Sequence, residues 1–301
     1  MRRPSWLLAA LVSLAFTALA CAPEEDSDST ADDPAASESP TDSASESAEP
    51  DACATETLPL RQAGTLTIGT DSPAYEPWFV DNDPTNGRGF ESAVAYAVAE
   101  QLGFAPAEVT WVKVPFNTSY KPGDKNFDFD INQISITPAR AEVVDFSDGY
   151  YEAAQAAIAL KGTPGAEATS LDDLHNLRLG AQTGTTSLTA IREVIAPREE
   201  PLVFEDTNAA KQALLNDQVD AILADLPTAF YISAVEIPNS TIIGQFQPET
   251  GEQEEFGMLF EKGNPLVDCV NQALAALEAD GTLAALEQEW LSDVVDVPEL
   301  Q

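Results

Sequence analysis

A guanidinium two residues past a proline, with a serine hydroxyl five residues before it, is a donor set able to grip a carboxylate. Ser135, Pro138 and Arg140 stand so in residues 126–151, NFDFDINQISITPARAEVVDFSDGYY. Over residues 131–137 apolar and polar residues alternate, so Ile134 and Ile136 share one face and Gln133, Ser135 and Thr137 the other, predicting a half-buried strand over 128–137. Thr137 suits an N-cap and Pro138 the first helical position. Arg140 then sits in a first turn whose free N–H groups already favour an anion, and a guanidinium adds bidentate capture. The alternative is an edge strand with a solvated face and a surface arginine. A second donor set is QTGTTS, residues 182–187, where Thr185 and Thr186 open a short helix over 188–195. That segment reads equally as a structural turn. Asp71 and Asp225 each fall at the end of a strand pattern; by itself, Asp225 before Leu226 and Pro227 reads as a helix cap.

The elements needed to position these groups follow in order. Leu66 and Ile68 alternate in a strand that ends near Asp71, and a turn carrying Tyr75, Trp78 and Phe79 follows. Phe90, Val94, Ala97, Val98 and Leu102 recur at helical spacing, and Gly103 stops the helix. Strands are predicted over 109–114, 177–181, 201–204 and 219–224, with a helix capped by Thr207 running to Leu215. Residues 264–277 and 282–290 are amphipathic helices split at Asp280 and Gly281. Strands separated by helices imply βαβ units and mostly parallel sheets. A strand, a polar residue and a proline-opened helix occur at 135–138 and again at 225–227, as two similar lobes facing one cleft would show.

At 301 residues the chain can form two lobes. It opens with Arg2 and Arg3 and an apolar run, residues 6–20, which is short for a membrane span and reads as a secretory signal. Cys21 after Ala18, Leu19 and Ala20 resembles a lipobox, with Ala18 in place of the usual leucine, so Cys21 is the expected lipidation site. The alternative is an ordinary signal peptide followed by a free thiol. Residues 22–57 hold twelve acidic residues and no Lys or Arg, a composition that cannot bury enough surface to offset its ordering entropy and reads as a disordered tether. The net charge of −37 and the lack of a basic stripe argue against nucleic acid as a partner. With Cys21 set aside, Cys53 and Cys269 make an even pair in an exported chain and are expected to be bridged; two buried free thiols are the alternative. No CxxC or His/Cys cluster suggests a metal, no cofactor is implied, and His175 reads as a surface residue.

The run DINQISITPARAEVVDFSDGYY resembles the core of the family 3 solute-binding proteins, the polar amino-acid receptors of bacterial ABC importers. The likeness extends over about residues 64–291. It implies an α/β, two-lobed periplasmic-binding-protein-like (type II) fold with two hinge crossings. The expected boundaries are a signal peptide at 1–20, the lipidated cysteine and tether at 21–57, lobe 1 at 58–154 and 255–301, and lobe 2 at 155–254. It further implies that Ser135 and Arg140 hold a ligand's α-carboxylate, that Thr185 and Thr186 assist from the other lobe, and that Asp225 pairs with the α-ammonium. Phe116 would stack on the ligand, and Asp71 matches a position that contacts cationic or amide side chains. With Tyr75 and Gln133, which lie beside these residues, that completes the expected ligand set. The family's usual Gly-Phe-Asp run is here Gly89, Phe90, Glu91.

The implied function is an extracytoplasmic, lipid-anchored, monomeric receptor that closes on a polar, and by its acidity a basic or amide, amino acid and delivers it to an ABC permease. Arg88 would serve an acidic ligand if its loop reached the cleft. Arg140 and Asp225 are expected to face an open, watery cleft. An enzyme of the dehydratase kind, or a ligand-sensing module, is the alternative on the same scaffold. Against an enzyme, the chain has no GxSxG, no telling pair of carboxylates and a single histidine.

Overall fold

The structure is a computed structural model and describes residues 52–247, 253–291 and 297–301. The expected signal, Cys21 and nearly all of the acidic segment lie outside the described residues. Strands are β1 Leu66–Thr70, β2 Val109–Lys113, β3 Phe129–Asp130, β4 Asp145–Ala153, β5 Gln155–Leu160, β6 Leu179–Gln182, β7 Leu202–Phe204, β8 Ala221–Asp225, β9 Ser240–Phe246 and β10 Glu254–Phe260. Helices are α1 Phe90–Gln101, α2 Phe116–Ser119, α3 Pro138–Ala141, α4 Leu171–Leu174, α5 Thr186–Ala190, α6 Thr207–Leu215, α7 Leu226–Tyr231, α8 Leu266–Ala279 and α9 Thr282–Leu291.

These build two five-stranded sheets of matching design, β2-β1-β3-β10-β4 in lobe 1 and β7-β6-β8-β5-β9 in lobe 2. In each, three parallel strands are extended by two antiparallel ones, so the sheets are mixed. The chain crosses between lobes at Ala154, from β4 to β5, and again between β9 and β10. Strands β5, β9 and β10 did not stand out in the sequence. The run of small residues in β5 has no alternation because it is buried on both faces.

The lobe 1 core lies mainly on one face of its sheet. Leu66, Ile68 and Phe129 meet Phe90, Val94 and Val98 of α1 and Val270, Leu274 and Leu277 of α8, all buried. Each such side chain contributes roughly 1.5–3 kcal/mol relative to exposure. Cys53 and Cys269 are joined in a disulfide, as expected, which fixes the segment before β1 to α8. It closes a loop between residues 216 apart, for which chain entropy alone sets a ceiling of about 5 kcal/mol.

Two expectations need correction. The alternating run over 131–137 is not a continuous strand: β3 is only Phe129–Asp130, Gln133 has φ 47°, and a lone bridge joins Ser135 to Phe256. Ile131, Asn132, Ile134 and Ser135 are all buried, so burial replaces alternation. The chain's last residues were expected in lobe 1, yet Leu300 packs in the lobe 2 core and bonds with Gln245 of β9.

Candidate functional site

Strand ends deliver the polar groups. Asp71 follows β1, Phe116 follows β2, Asn132 and Gln133 follow β3, Thr185 follows β6, and Asp225 ends β8. Carboxyl ends of parallel strands are where open α/β sheets bind ligands, and here the two sets face each other. A cavity of about 50 Å³ is lined by Asp71, Tyr75, Phe116, Gln133, Ser135, Thr185, Thr186 and Asp225, eight of the nine residues expected to bind ligand, together with Asn132, Gln182, Thr207 and Thr228. Such a volume is far below that of an ordinary ligand pocket. It is small because the lobes touch: Trp78 Nε1 donates to Thr228 Oγ1 at 2.8 Å, and Ser135 Oγ lies 3.3 Å from Thr186 Oγ1.

Arg140, the ninth residue, lines the adjoining groove, which it shares with Thr137, Thr185, Thr186 and Glu254. Thr137 caps α3 by accepting from Arg140 N at 3.3 Å, with Pro138 in its first turn as expected. The arginine is not a surface residue: it is 8% exposed. Its Nη1 donates to Ser135 O at 2.7 Å and its Nη2 crosses the cleft to Gly184 O at 2.9 Å. The guanidinium lies 4.9 Å from the Tyr120 ring centre and 5.6 Å from that of Phe116. Burial lowers its pKa, while Tyr120, Glu254 and Asp225 act to keep it charged. Gly184 has φ 75°, and a Cβ there would meet the Tyr120 hydroxyl at 2.2 Å, so only glycine allows this close approach.

Asp225 precedes α7 yet makes no capping bond, which removes the simple helix-cap reading. Its Oδ1 accepts from Gln155 Nε2 at 2.8 Å. The same nitrogen donates to Glu254 Oε2 at 2.9 Å, and Glu254 Oε1 accepts from Ser135 Oγ at 2.6 Å. Ser187 Oγ donates to Gln155 Oε1 at 2.6 Å. Gln155 and Glu254 begin the strands that follow the two crossings, so the hinge itself links the two halves of the site. Burial, with Glu254 and Glu91 as further negative groups, pushes the Asp225 carboxyl up to about 8 against the opposing effects of Gln155 and Arg140.

Behind Gln133 lies Glu91, fully buried on α1. It accepts from Gln133 N at 2.6 Å and from the Gln133 amide and the Tyr150 hydroxyl. These bonds hold Gln133 in a backbone conformation rare for a side chain of its size. Burial raises the Glu91 carboxyl to about 7 despite its three donors. Asp130, buried on β3, is raised well above the carboxylate range by burial and by Glu91 and Asp71. Asp71 caps its own end of the cavity, accepting from Ser72 N at 2.6 Å and Phe116 N at 3.0 Å.

Gln155, Glu254, Glu91, Asn132, Trp78 and Thr228 were not singled out as site residues from the sequence. Gln155 had a signal, a lone polar side chain within AAQAAIAL; Glu254 had none. Arg88 does not reach the cleft; it is exposed and pairs with Asp81 at 3.0 Å. His175 ends α4, away from the cavity. Helix α6 is capped by Asp206, whose Oδ1 accepts from Ala209 N, rather than by Thr207, whose hydroxyl instead donates to Gln182. Among the described residues no three His, Cys, Asp or Glu side chains are grouped to hold a metal ion.

Known proteins resemble this chain in sequence and fold. The profile of bacterial extracellular solute-binding proteins, family 3, matches residues 66–293. The chain belongs to this family. Among its family 3 relatives, the L-cystine-binding protein TcyJ of Escherichia coli (strain K12) is 30% identical over 233 residues, 77% of this chain and 84% of that protein. A solved ancestral arginine-binding protein bound to glutamine has a TM-score of 0.64 at 30% identity, covering 76% of this chain and 98% of its own. The ancestral amino acid-binding protein AncCDT-1, a precursor of cyclohexadienyl dehydratase, has a TM-score of 0.63 at 30% identity, covering 75% and 95%. The family 3 fold is thus that of a two-lobed, extracellular solute-binding protein.

Proposed function

We propose that the protein is the substrate-binding component of an ABC importer and receives a polar or basic amino acid between its lobes. The observation that carries this reading is the convergence of eight expected ligand residues from both lobes on one cavity, with Arg140 bonded across it to Gly184. In this reading Arg140, Ser135, Thr185 and Thr186 take the α-carboxylate, and Asp225 takes the α-ammonium. Phe116 and Tyr75 flank the ligand, and Gln133 shapes the floor with Glu91. Asp71, at the distal end of the cavity, offers a carboxylate suited to a cationic or amide side chain. The related proteins that bind cystine, arginine or glutamine support the same class.

Binding closes the hinge because each lobe supplies one charge the other lacks. The chain is released by signal cleavage before Cys21, anchored there by lipid on the outer face of the membrane, and works as a monomer that docks on its permease. It is read as a receptor and not as an enzyme, since its relatives named here are binding proteins, one of them a precursor of a dehydratase. A melting-temperature screen of the twenty amino acids and L-cystine tests this. A ligand present at 100 times its Kd stabilises by about 2.7 kcal/mol, worth several degrees. Failure of every compound to shift the melt refutes the reading, and turnover of a prephenate-like acid would favour the enzyme.

A further inference from the structure

The pairing of Asp225 with Glu254 has a consequence for how a ligand enters. Two carboxylates, half-buried Asp225 and buried Glu254, accept from one amide nitrogen, Gln155 Nε2, at 2.8 and 2.9 Å. Gln155 is fully buried and Glu254 is 7% exposed. Ser135 Oγ is the other donor to Glu254. The charged and titratable groups facing Asp225 are Glu254 at the start of β10, Glu91 on α1, Arg140 on α3, and Tyr150 and Tyr151 on β4. Arg140 is the only cation among them, and its guanidinium is committed to the carbonyls of Ser135 and Gly184. A neutral amide is therefore all that separates the two acids, and like-charged carboxylates this close cannot both ionise cheaply. The same cavity holds an independent sign of a ligand: Asn132 is 6% exposed, lines the cavity that Asp225 also lines, and its Nδ2 has no partner.

We propose that binding here exchanges a cation for a proton: Asp225, held beside Glu254 through Gln155, is protonated before the ligand arrives and loses that proton to solvent when an ammonium takes its place. This rests on the receptor reading above, with Asp225 as the ammonium's partner. Glu254 touches Ser135 and Gln155, not the ligand, and is a positioning residue that sets the charge state of the pair. The balance is simple: the ammonium keeps its three hydrogens, the carboxyl O–H bond breaks, and buffer takes the proton. With Asp225 pushed to about 8, the proton is held at neutral pH. Affinity for an amino acid then rises about tenfold from pH 6 to pH 7, the linkage expected for one exchanged proton. Ligands without a cation gain nothing from the exchange, so the pair also selects for an ammonium.

The test is calorimetric titration of the full chain with L-arginine, L-glutamine, L-histidine and L-cystine at pH 7 in two buffers of different ionisation enthalpy, repeated at pH 6. Wild type is expected to release close to one proton per bound amino acid. Glu254→Gln removes the neighbouring charge, the largest cause of the shift after burial, so proton release falls and the tenfold pH step flattens, while Glu254→Asp restores both. A merely structural role for Glu254 would lower affinity without moving the proton count. Tight binding by wild type with no proton released overturns the inference and leaves the receptor reading standing, and that measurement decides even if Glu254→Gln does not fold. An unchanged proton count in a folded Glu254→Gln also overturns it. Absence of binding by all four compounds and by every other amino acid in the screen removes the receptor reading and this inference together.

Discussion

Arg140→Ala perturbs a cation that bonds across the cleft. Two charge-assisted bonds disappear, to Ser135 O and to Gly184 O, each worth about 1.5–3 kcal/mol. They do not count alike. The bond to Ser135 lies within lobe 1 and is made whether or not the lobes meet, as are the contacts with Tyr120 and Phe116. The bond to Gly184 exists only while the lobes are together, so its loss falls on ligand binding. Adding the lost partner of the ligand's carboxylate, the binding penalty is on the order of 2–5 kcal/mol, a weakening of roughly thirtyfold to several thousandfold. The lobe 1 share, about 2 kcal/mol, lowers the melting temperature by about 4–8 °C. An arginine facing open water would have given almost no change in the melt, so burial alters the expectation drawn from sequence. Titration with the best amino acid from the screen reads the first effect, and melts without ligand read the second. Arg140→Lys keeps the charge but not the planar fork and should fall between. Wild-type affinity in Arg140→Ala would refute the carboxylate assignment, and an unchanged melt would refute the buried contacts.

Other perturbations probe separate parts of the molecule. Cys269→Ser opens the bridge to Cys53 and should lower stability by up to about 5 kcal/mol, read as a drop in melting temperature that a reductant reproduces in wild type and not in the variant. Thr228→Val removes the acceptor of Trp78 Nε1 across the lobes; a net bond of about 1 kcal/mol predicts roughly fivefold weaker ligand binding, and equal Kd values would contradict the contact. Glu91 is an acid whose folded pKa, about 7, lies above its ordinary 4.5, so the folded state holds its proton more tightly and loses stability as pH rises through that window. The full cost above pH 7 is on the order of 3 kcal/mol. Glu91→Gln should therefore gain on wild type in melting temperature from pH 5 to pH 8, and a constant difference across that range would refute the buried-acid account.

The fold was readable where one face of an element is buried and the other is wet. Helix α1 kept its spacing of Phe90, Val94 and Val98, and β1 its alternation of Leu66 and Ile68. The pattern misled at residues 131–137, where backbone leaves the strand so that Gln133 can meet Glu91 and Ser135 can meet Glu254. Alternation there came from residues that turn toward a site and not toward a sheet face. Strands β5 and β10 carry no period because both faces are covered. The proposed ligand set came from a resemblance to a family motif, and its supporting charges had no such guide. Nothing in the sequence near Glu254 says that a neighbour 99 residues away, Gln155, would bind it.

That pairing explains why the site sits where the lobes are joined. A cleft assembled only from strand ends would hold each lobe's groups by that lobe alone, and closure would be guided by the ligand. Here the first residue after each crossing contributes a side chain to the network: Glu254 holds Ser135 of its own lobe, Gln155 holds Asp225 and Ser187 of its own, and the bond from Gln155 to Glu254 joins the two lobes. Rotation about the crossings therefore moves the hinge side chains together with the groups proposed to hold the two ends of the zwitterion. A hinge change that leaves every ligand-facing residue intact, such as Gln155→Ala, should separate Asp225 from Glu254 and leave Ser187 without its acceptor. Such a change should weaken binding as strongly as loss of a direct contact, because the geometry of both charged ends depends on it.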